Sequence, residues 1–156
     1  VSLRIEALLD SNVLIAVLAE AHEHHEPSFA LIAEENGGRF AISAHSYAEA
    51  YSTLTRRGES GLFRFTPAEA ISALESLRGV TTLVGLTPAQ TFDTIRDHAS
   101  TGGIGARLCD RLIGQAAAAN GIVTIVTWKV THMRSLFPDL EVLSPLEFQK
   151  SGNKAT

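Results

Sequence analysis

The chain has 156 residues, 45% of them apolar and 19% charged, with a formal net charge of −4 and a pI of about 5.8. That length builds one domain with a real core and leaves no room for a second, and the acidic balance excludes a broad basic surface for holding nucleic acid. Cys109 is the single cysteine, so an internal disulfide is excluded. With no signal-peptide pattern and no apolar run of about 18 residues, a soluble, cytoplasmic protein that does not enter the membrane is expected.

Apolar runs alternate with helix-period segments, which is the order of an α/β fold with a mainly parallel central sheet. Residues 1–150 are expected to form the domain and Ser151 to Thr156 a disordered polar tail. Ile5 to Leu9 reads as the first strand. Asp10-Ser11-Asn12 follows as a polar group able to cap, and Val13, Leu14, Ile15, Val17 and Leu18 form a helix packed on the sheet. A second helix is expected from Pro27 to Glu35, with Phe29, Leu31 and Ile32 as its apolar residues and Gly37-Gly38 as its end. Arg39 to Ile42 is the second strand. Ser43 caps a helix carrying Tyr47, Glu49, Tyr51 and Leu54 that runs to Arg57 and stops at Gly58.

Thr66-Pro67-Ala68-Glu69 has the form of a helix start, with the helix ending near Arg78-Gly79. Thr81 to Val84 is a β-branched run read as the third strand, and Thr87-Pro88 opens a helix lasting to His98. The glycines between Ser100 and Gly105 make a loop. The helix after it carries Asp110 in its second turn and a buried stripe of Cys109, Leu112, Ile113, Ala116 and Ala117, closed by Asn120-Gly121. Ile122 to Thr127 has the composition of a central parallel strand. A short strand near Glu141 to Leu143 and a helical turn at Pro145 to Phe148 complete the domain.

Three carboxylates stand where apolar runs end or on apolar helix faces: Asp10 after Ala7-Leu8-Leu9, Glu49 within Ala48-Glu49-Ala50, and Asp110 within Leu108-Cys109-Asp110. A charge at the edge of a core is expensive unless a partner neutralises it, and no stretch supplies three matching cations. A divalent metal would neutralise all three, and oxygen-only ligation suits Mg²⁺ or Mn²⁺. In open parallel sheets functional groups collect beyond the carboxyl ends of the strands, where Asp10 and Thr127 both fall.

Each of these residues also has a plainer reading. Asp10 can cap the next helix, Glu49 can be an ordinary exposed helix residue, Asp110 can pair with Arg107 or Arg111, and Ser43 can be an N-cap and no more. His22, His24 and His25 have a helix-compatible spacing for a metal, although a solvated, partly charged surface is the commoner outcome. Cys109 reads as a small packed residue. Trp128 reads as either a platform for a base or a seal at the pocket edge. Arg56, Arg57 and Arg64 suit RNA phosphates and plain solubility equally.

Taken in order, four pieces resemble the PIN-domain ribonucleases, and within them the VapC-type toxins of bacterial toxin-antitoxin pairs. They are Leu8-Leu9-Asp10-Ser11-Asn12-Val13-Leu14-Ile15, Ser43 with Glu49 six residues on, Gly102-Gly103-Ile104-Gly105 before Asp110, and Ile125-Val126-Thr127-Trp128 followed by His132. The resemblance implies a three-layer α/β/α domain whose acidic pocket binds Mg²⁺ or Mn²⁺ and cuts RNA by in-line attack, leaving a 5′-phosphate and a 3′-hydroxyl. It implies Asp10, Glu49 and Asp110 as metal ligands, directly or through water, with Asn12, Ser43 and Thr127 as hydrogen-bonding groups behind them. It also implies a small antitoxin as protein partner and a homodimer.

One position departs from the family. Where a fourth acidic or amide residue usually stands, this chain has Lys129. Either the site holds one metal and Lys129 contacts a phosphate oxygen, or Lys129 pairs with Asp110 or Asp10 in a weak or inactive pocket that binds RNA or an antitoxin without cutting. Asp93 or Asp97 would be the replacement ligand, but both read as facing solvent. A different enzyme class is a haloacid-dehalogenase-type phosphatase with Asp10 as nucleophile, which Asp10-Ser11-Asn12, Thr127 and Lys129 faintly resemble. Asn12 stands where that class needs a second Asp, and no acidic pair follows Lys129.

Overall fold

In the computed structural model, which describes residues 4–33 and 38–153, five short apolar runs pair side by side. They are β1 (Ala7–Leu9), β2 (Phe40–Ser43), β3 (Thr82–Val84), β4 (Thr124–Val126) and β5 (Glu141–Leu143), all parallel, in the order β3-β2-β1-β4-β5. The helices between and after them are α1 (Ser11–Leu18), α2 (His25–Ala33), α3 (Ala44–Thr55), α4 (Pro67–Arg78), α5 (Pro88–Ser100), α6 (Arg107–Ala119), α7 (Val130–Leu136) and α8 (Pro145–Asn153).

Side chains of a strand alternate between faces, and the two cores follow that period. Ala7, Leu9, Phe40, Ile42 and Val126 pack with Val13, Leu14 and Val17 of α1, Leu31 of α2, Ala50 of α3, and Leu74 and Leu77 of α4. Leu8, Ala41 and Ile125, one step along, pack with Ile113, Ala116 and Ala117 of α6 and Met133 of α7. The result is the three-layer α/β/α arrangement that the sequence implied. Strand order reverses direction across β1 and β4, whose register pairs Leu8 with Ile125 and Leu9 with Val126. Asp10 and Thr127 therefore emerge side by side at the topological switch point, the place in such sheets where ligands bind.

Local signals fixed most helix starts. Ser43 accepts from the Ser46 N–H as the cap of α3, and Thr66 with Glu69 and Thr87 with Gln90 form complete capping boxes on α4 and α5. Several boundaries differ from expectation. Phe29 is 49% exposed and does not belong to the core. Asp110 lies in the first turn of α6, not the second. The expected end of the second helix at Glu34 and Glu35, with Gly37, falls outside the described residues. Ser151 to Asn153 are not a loose tail but continue α8, and Lys154 to Thr156 lie outside the described residues. The whole of α7 is an addition.

Gly114 sits in mid-α6, where glycine ordinarily weakens a helix by about 1 kcal/mol relative to alanine. Here a Cβ would collide with the Phe137 ring, which lies directly against the helix backbone. Gly114→Ala is accordingly expected to lower the unfolding free energy by about 1–3 kcal/mol through overpacking, in spite of the better helix former. Urea denaturation reads the difference. A more stable variant would mean that Phe137 swings away at no cost.

Candidate active site

Asp10 is 1% exposed at the end of β1. Its Oδ1 accepts from the Ser11 N–H at 2.7 Å, which makes Asp10 the N-cap of α1. Its Oδ2 accepts from the Thr127 hydroxyl at 2.8 Å and from Asn12 Nδ2 at 3.3 Å. Capping and a place in the pocket are thus not alternatives, because the two oxygens serve different partners. Thr127 Oγ1 in turn accepts from Asn12 Nδ2 and from the Lys129 N–H, each at 3.0 Å, so its one donor and two acceptor positions are all engaged. Asn12 Oδ1 accepts from the Trp128 N–H at 3.0 Å. Asn12 and Thr127 therefore lock the loop after β1 to the loop after β4 and hold the Asp10 carboxyl in one orientation.

Burial is the main reason that the Asp10 carboxyl is pushed up from 3.8 to about 6. The Thr127 and Ser11 hydrogen bonds pull it down, and the negative charges of Asp110 and Glu49 push it further up. The three carboxylates thus act on one another across the mouth formed by β1, α3 and α6. Asp110 Oδ2 lies 2.8 Å from His132 Nε2 of α7. Its partner is this histidine, and not Arg107 or Arg111; Arg111 donates to His98 Nδ1 instead. Glu49 is half-buried beside His45 on α3, with 3.7 Å between Oε1 and Nε2. Neither of those two atoms has a hydrogen-bond partner, though both are buried. Burial and the charges of Glu49 and Asp110 also push the Cys109 thiol up.

These observations describe a pocket with excess negative field and no lysine or arginine paired to any of the three carboxylates among the described residues. An oxygen donor set with that imbalance fits Mg²⁺ or Mn²⁺. Lys129 is exposed at the N-terminus of α7 and forms no ion pair with Asp10 or Asp110 among the described residues. The pairing of Lys129 with Asp10 or Asp110 that the sequence allowed for is not formed among the described residues. Asp93 pairs with Arg96 at 2.9 Å on the surface, and Asp97 is exposed, so neither replaces a ligand.

Other sequence candidates take structural roles. Ser43 caps α3 and shares a 2.9 Å hydrogen bond with Ser46, without touching the carboxylates. Trp128 donates through Nε1 to Ser28 at 2.8 Å and stacks on His24, with 4.0 Å between ring centres. His22 stacks on Phe63, and His25 Nδ1 lies 2.8 Å from the Ala16 carbonyl, so the three histidines are half-buried at the surface ahead of and at the start of α2 and also make packing contacts. Arg57 donates to the Arg64 and Phe65 carbonyls and Arg64 to the Gly58 carbonyl, which folds the loop before α4. His132 and His45 were not singled out for the site by the sequence. Their signal, a histidine one turn from or facing an acidic residue, needs the fold to be seen.

The α/β/α domain thus carries Asp10 at the switch point of a five-stranded parallel sheet, with Asp110 and Glu49 near enough for their charges to act on it. The sequence matches the PIN domain over residues 7–127, and the chain belongs to that family, whose members are typically metal-dependent ribonucleases using Mg²⁺ or Mn²⁺. Its fold is similar to that of Mycobacterium tuberculosis VapC20, a sarcin-ricin loop cleaving toxin, at 16% identity and TM-score 0.62 over 77% of this chain and 87% of that one. It is also similar to DNA-bound VapBC from Salmonella typhimurium, at 20% identity and TM-score 0.62 over 90% and 98%. A third similar structure is FitAcB from Neisseria gonorrhoeae, at 20% identity and TM-score 0.57 over 90% and 98%. At these identities the likeness is one of fold. No protein of curated function matches the chain in sequence. No helix among the described residues is long and apolar enough to cross a membrane.

Proposed function

We propose that this chain is a Mg²⁺- or Mn²⁺-dependent endoribonuclease and the toxin of a toxin-antitoxin pair, with Asp10, Glu49 and Asp110 as the metal ligands. The observation that carries the reading is the Asp10 carboxyl, buried beside the charges of Asp110 and Glu49 and pushed up to about 6, with no lysine or arginine paired to it among the described residues. Bound there, the ion would polarise a phosphate oxygen and lower the pKa of an attacking water. The chain's own residues prepare the site. Thr127 and Asn12 hold Asp10, and His132 holds Asp110 through Oδ2. Lys129, exposed and in no ion pair among the described residues, is placed to meet an RNA phosphate.

A toxin of this kind would act in the cytoplasm beside its antitoxin. VapBC from Salmonella typhimurium was crystallised with DNA, which supports looking for such a partner here. Phe92 and Ile95, spaced i,i+3 on α5, are 60% and 39% exposed and suit a homodimer contact. The test is incubation of the purified chain with single-stranded and structured RNA in Mg²⁺, in Mn²⁺ and in chelator. Cleavage giving 5′-phosphate ends, lost on chelation, is the expected result. Intact RNA under every metal condition overturns it, and RNA retained without cleavage would favour a binding module instead.

A further inference from the structure

The nuclease reading uses Glu49 but has no role for His45 or Cys109. His45 and Glu49 are i,i+4 neighbours on α3, and Cys109 reaches them from the first turn of α6. One ligand atom from each of the three lies within 4.8 Å of the other two. His45 Nε2 and Glu49 Oε1 are 3.7 Å apart, both buried and both without a hydrogen-bond partner. In a tetrahedral zinc site with bonds of about 2.0–2.3 Å, neighbouring ligand atoms sit about 3.3–3.8 Å apart. The His-Glu edge already has that spacing, and the Cys109 sulfur lies within 4.8 Å of a ligand atom of each. A donor set of imidazole nitrogen, carboxylate oxygen and thiolate sulfur is wrong for Mg²⁺ and right for a borderline-soft ion.

We propose that His45, Glu49 and Cys109 form a three-ligand site for a zinc-class divalent ion, with its fourth position open to solvent. A His45–Glu49 ion pair with the Cys109 thiol hydrogen-bonded to Glu49 is the plainer reading, but it leaves His45 Nε2 and Glu49 Oε1 buried without a hydrogen-bond partner. Glu49 belongs to both sites, so a zinc-class ion would draw it out of the oxygen-ligated pocket, and the two metals would compete for one side chain. Binding of the softer ion does not depend on RNA cleavage. Only the competition rests on the nuclease reading.

The experiment is titration of the metal-free full chain with Co²⁺, a spectroscopic stand-in for zinc. One equivalent should produce a near-ultraviolet thiolate-to-cobalt charge-transfer band that Zn²⁺ abolishes. Cys109→Ser should remove the band, His45→Ala should weaken Co²⁺ binding by about tenfold or more, and Asp10→Asn should keep the band. Circular dichroism confirms that each variant is folded. A native chain with no thiolate band overturns the site, as does a band whose affinity is unchanged in His45→Ala. Loss of the band in folded Asp10→Asn would equally overturn a site separate from the acidic pocket.

Discussion

Asp10→Asn is expected to abolish metal-dependent cleavage and also to make the metal-free chain more stable at pH 7 and less stable at pH 4. The first effect follows from removing a ligand, and should exceed the roughly 10–100-fold loss typical of removing a group that only supports one. The second follows from linkage. The folded carboxyl titrates at about 6, against 3.8 for an unperturbed one. Between those values the folded chain holds a proton that the unfolded chain has lost, so stability from this group is full below pH 3.8 and falls as pH rises to about 6. The difference of about 2 pH units corresponds to about 3 kcal/mol, carried at pH 7 as the cost of a buried, uncompensated charge. Asparagine carries no charge at any pH, but its amide nitrogen must face a donor, either the Ser11 N–H or the Thr127 hydroxyl, at a cost of about 1 kcal/mol. The balance is a gain of about 2 kcal/mol at pH 7 and a loss of about 0.5 kcal/mol at pH 4. Urea denaturation of both proteins at both pH values checks it, since other groups cancel in the difference. Mg²⁺ should stabilise the native chain at pH 7 and leave the variant unchanged. Equal destabilisation at both pH values would show that Asp10 bears no such burden.

How much of this could be read in the sequence depended on whether the cause was local. The strands, the capping boxes at Thr66 and Thr87, and the place of Asp10 at a strand end are set by neighbours within a few residues. α7 escaped because Val130–Leu136 is only seven residues long, buries only Met133, and begins at Lys129 with no side-chain cap. α8 was expected to stop at Phe148 because Gln149 to Asn153 is polar, yet a surface helix needs only one apolar stripe, and Phe148 packs on the core beside Phe40. The site was legible as a set of carboxylates but not as a network. The Asp110–His132 contact joins residues on α6 and α7, and the cluster of Cys109 with Glu49 and His45 joins α6 to α3, so both exist only once the sheet is wound. The ring contacts of His22 and His24 were hidden for the same reason: Phe63 and Trp128 lie far along the chain.

Lys129→Asp is expected to tighten Mn²⁺ binding by about tenfold, while in the metal-free chain the helix cap it gains is offset by repulsion from the three carboxylates. Lys129 occupies the N-cap position of α7 and supplies no side-chain cap. A lysine there also has the wrong sign for the positive end of the helix dipole. Aspartate accepts from the free N–H groups of the first turn, a change worth about 0.5–2 kcal/mol, and the backbone N–H that Thr127 accepts is unaffected. Reversing a charge beside the acidic pocket changes its interaction with a bound cation by about 1–2 kcal/mol in partly exposed surroundings, which is about tenfold in affinity. Lys129→Ala separates the contributions, because it removes the positive charge without adding a cap or a ligand. Its Mn²⁺ affinity should fall between those of the native chain and the aspartate variant, with no gain in thermal stability. If Lys129 meets an RNA phosphate, the alanine variant should bind metal more tightly yet cleave more slowly, an opposition of signs that a purely electrostatic role would not produce. Calorimetric affinities unchanged in both variants would mean that the lysine lies outside the field of the three carboxylates, and that its departure from the family pattern has no bearing on the metal.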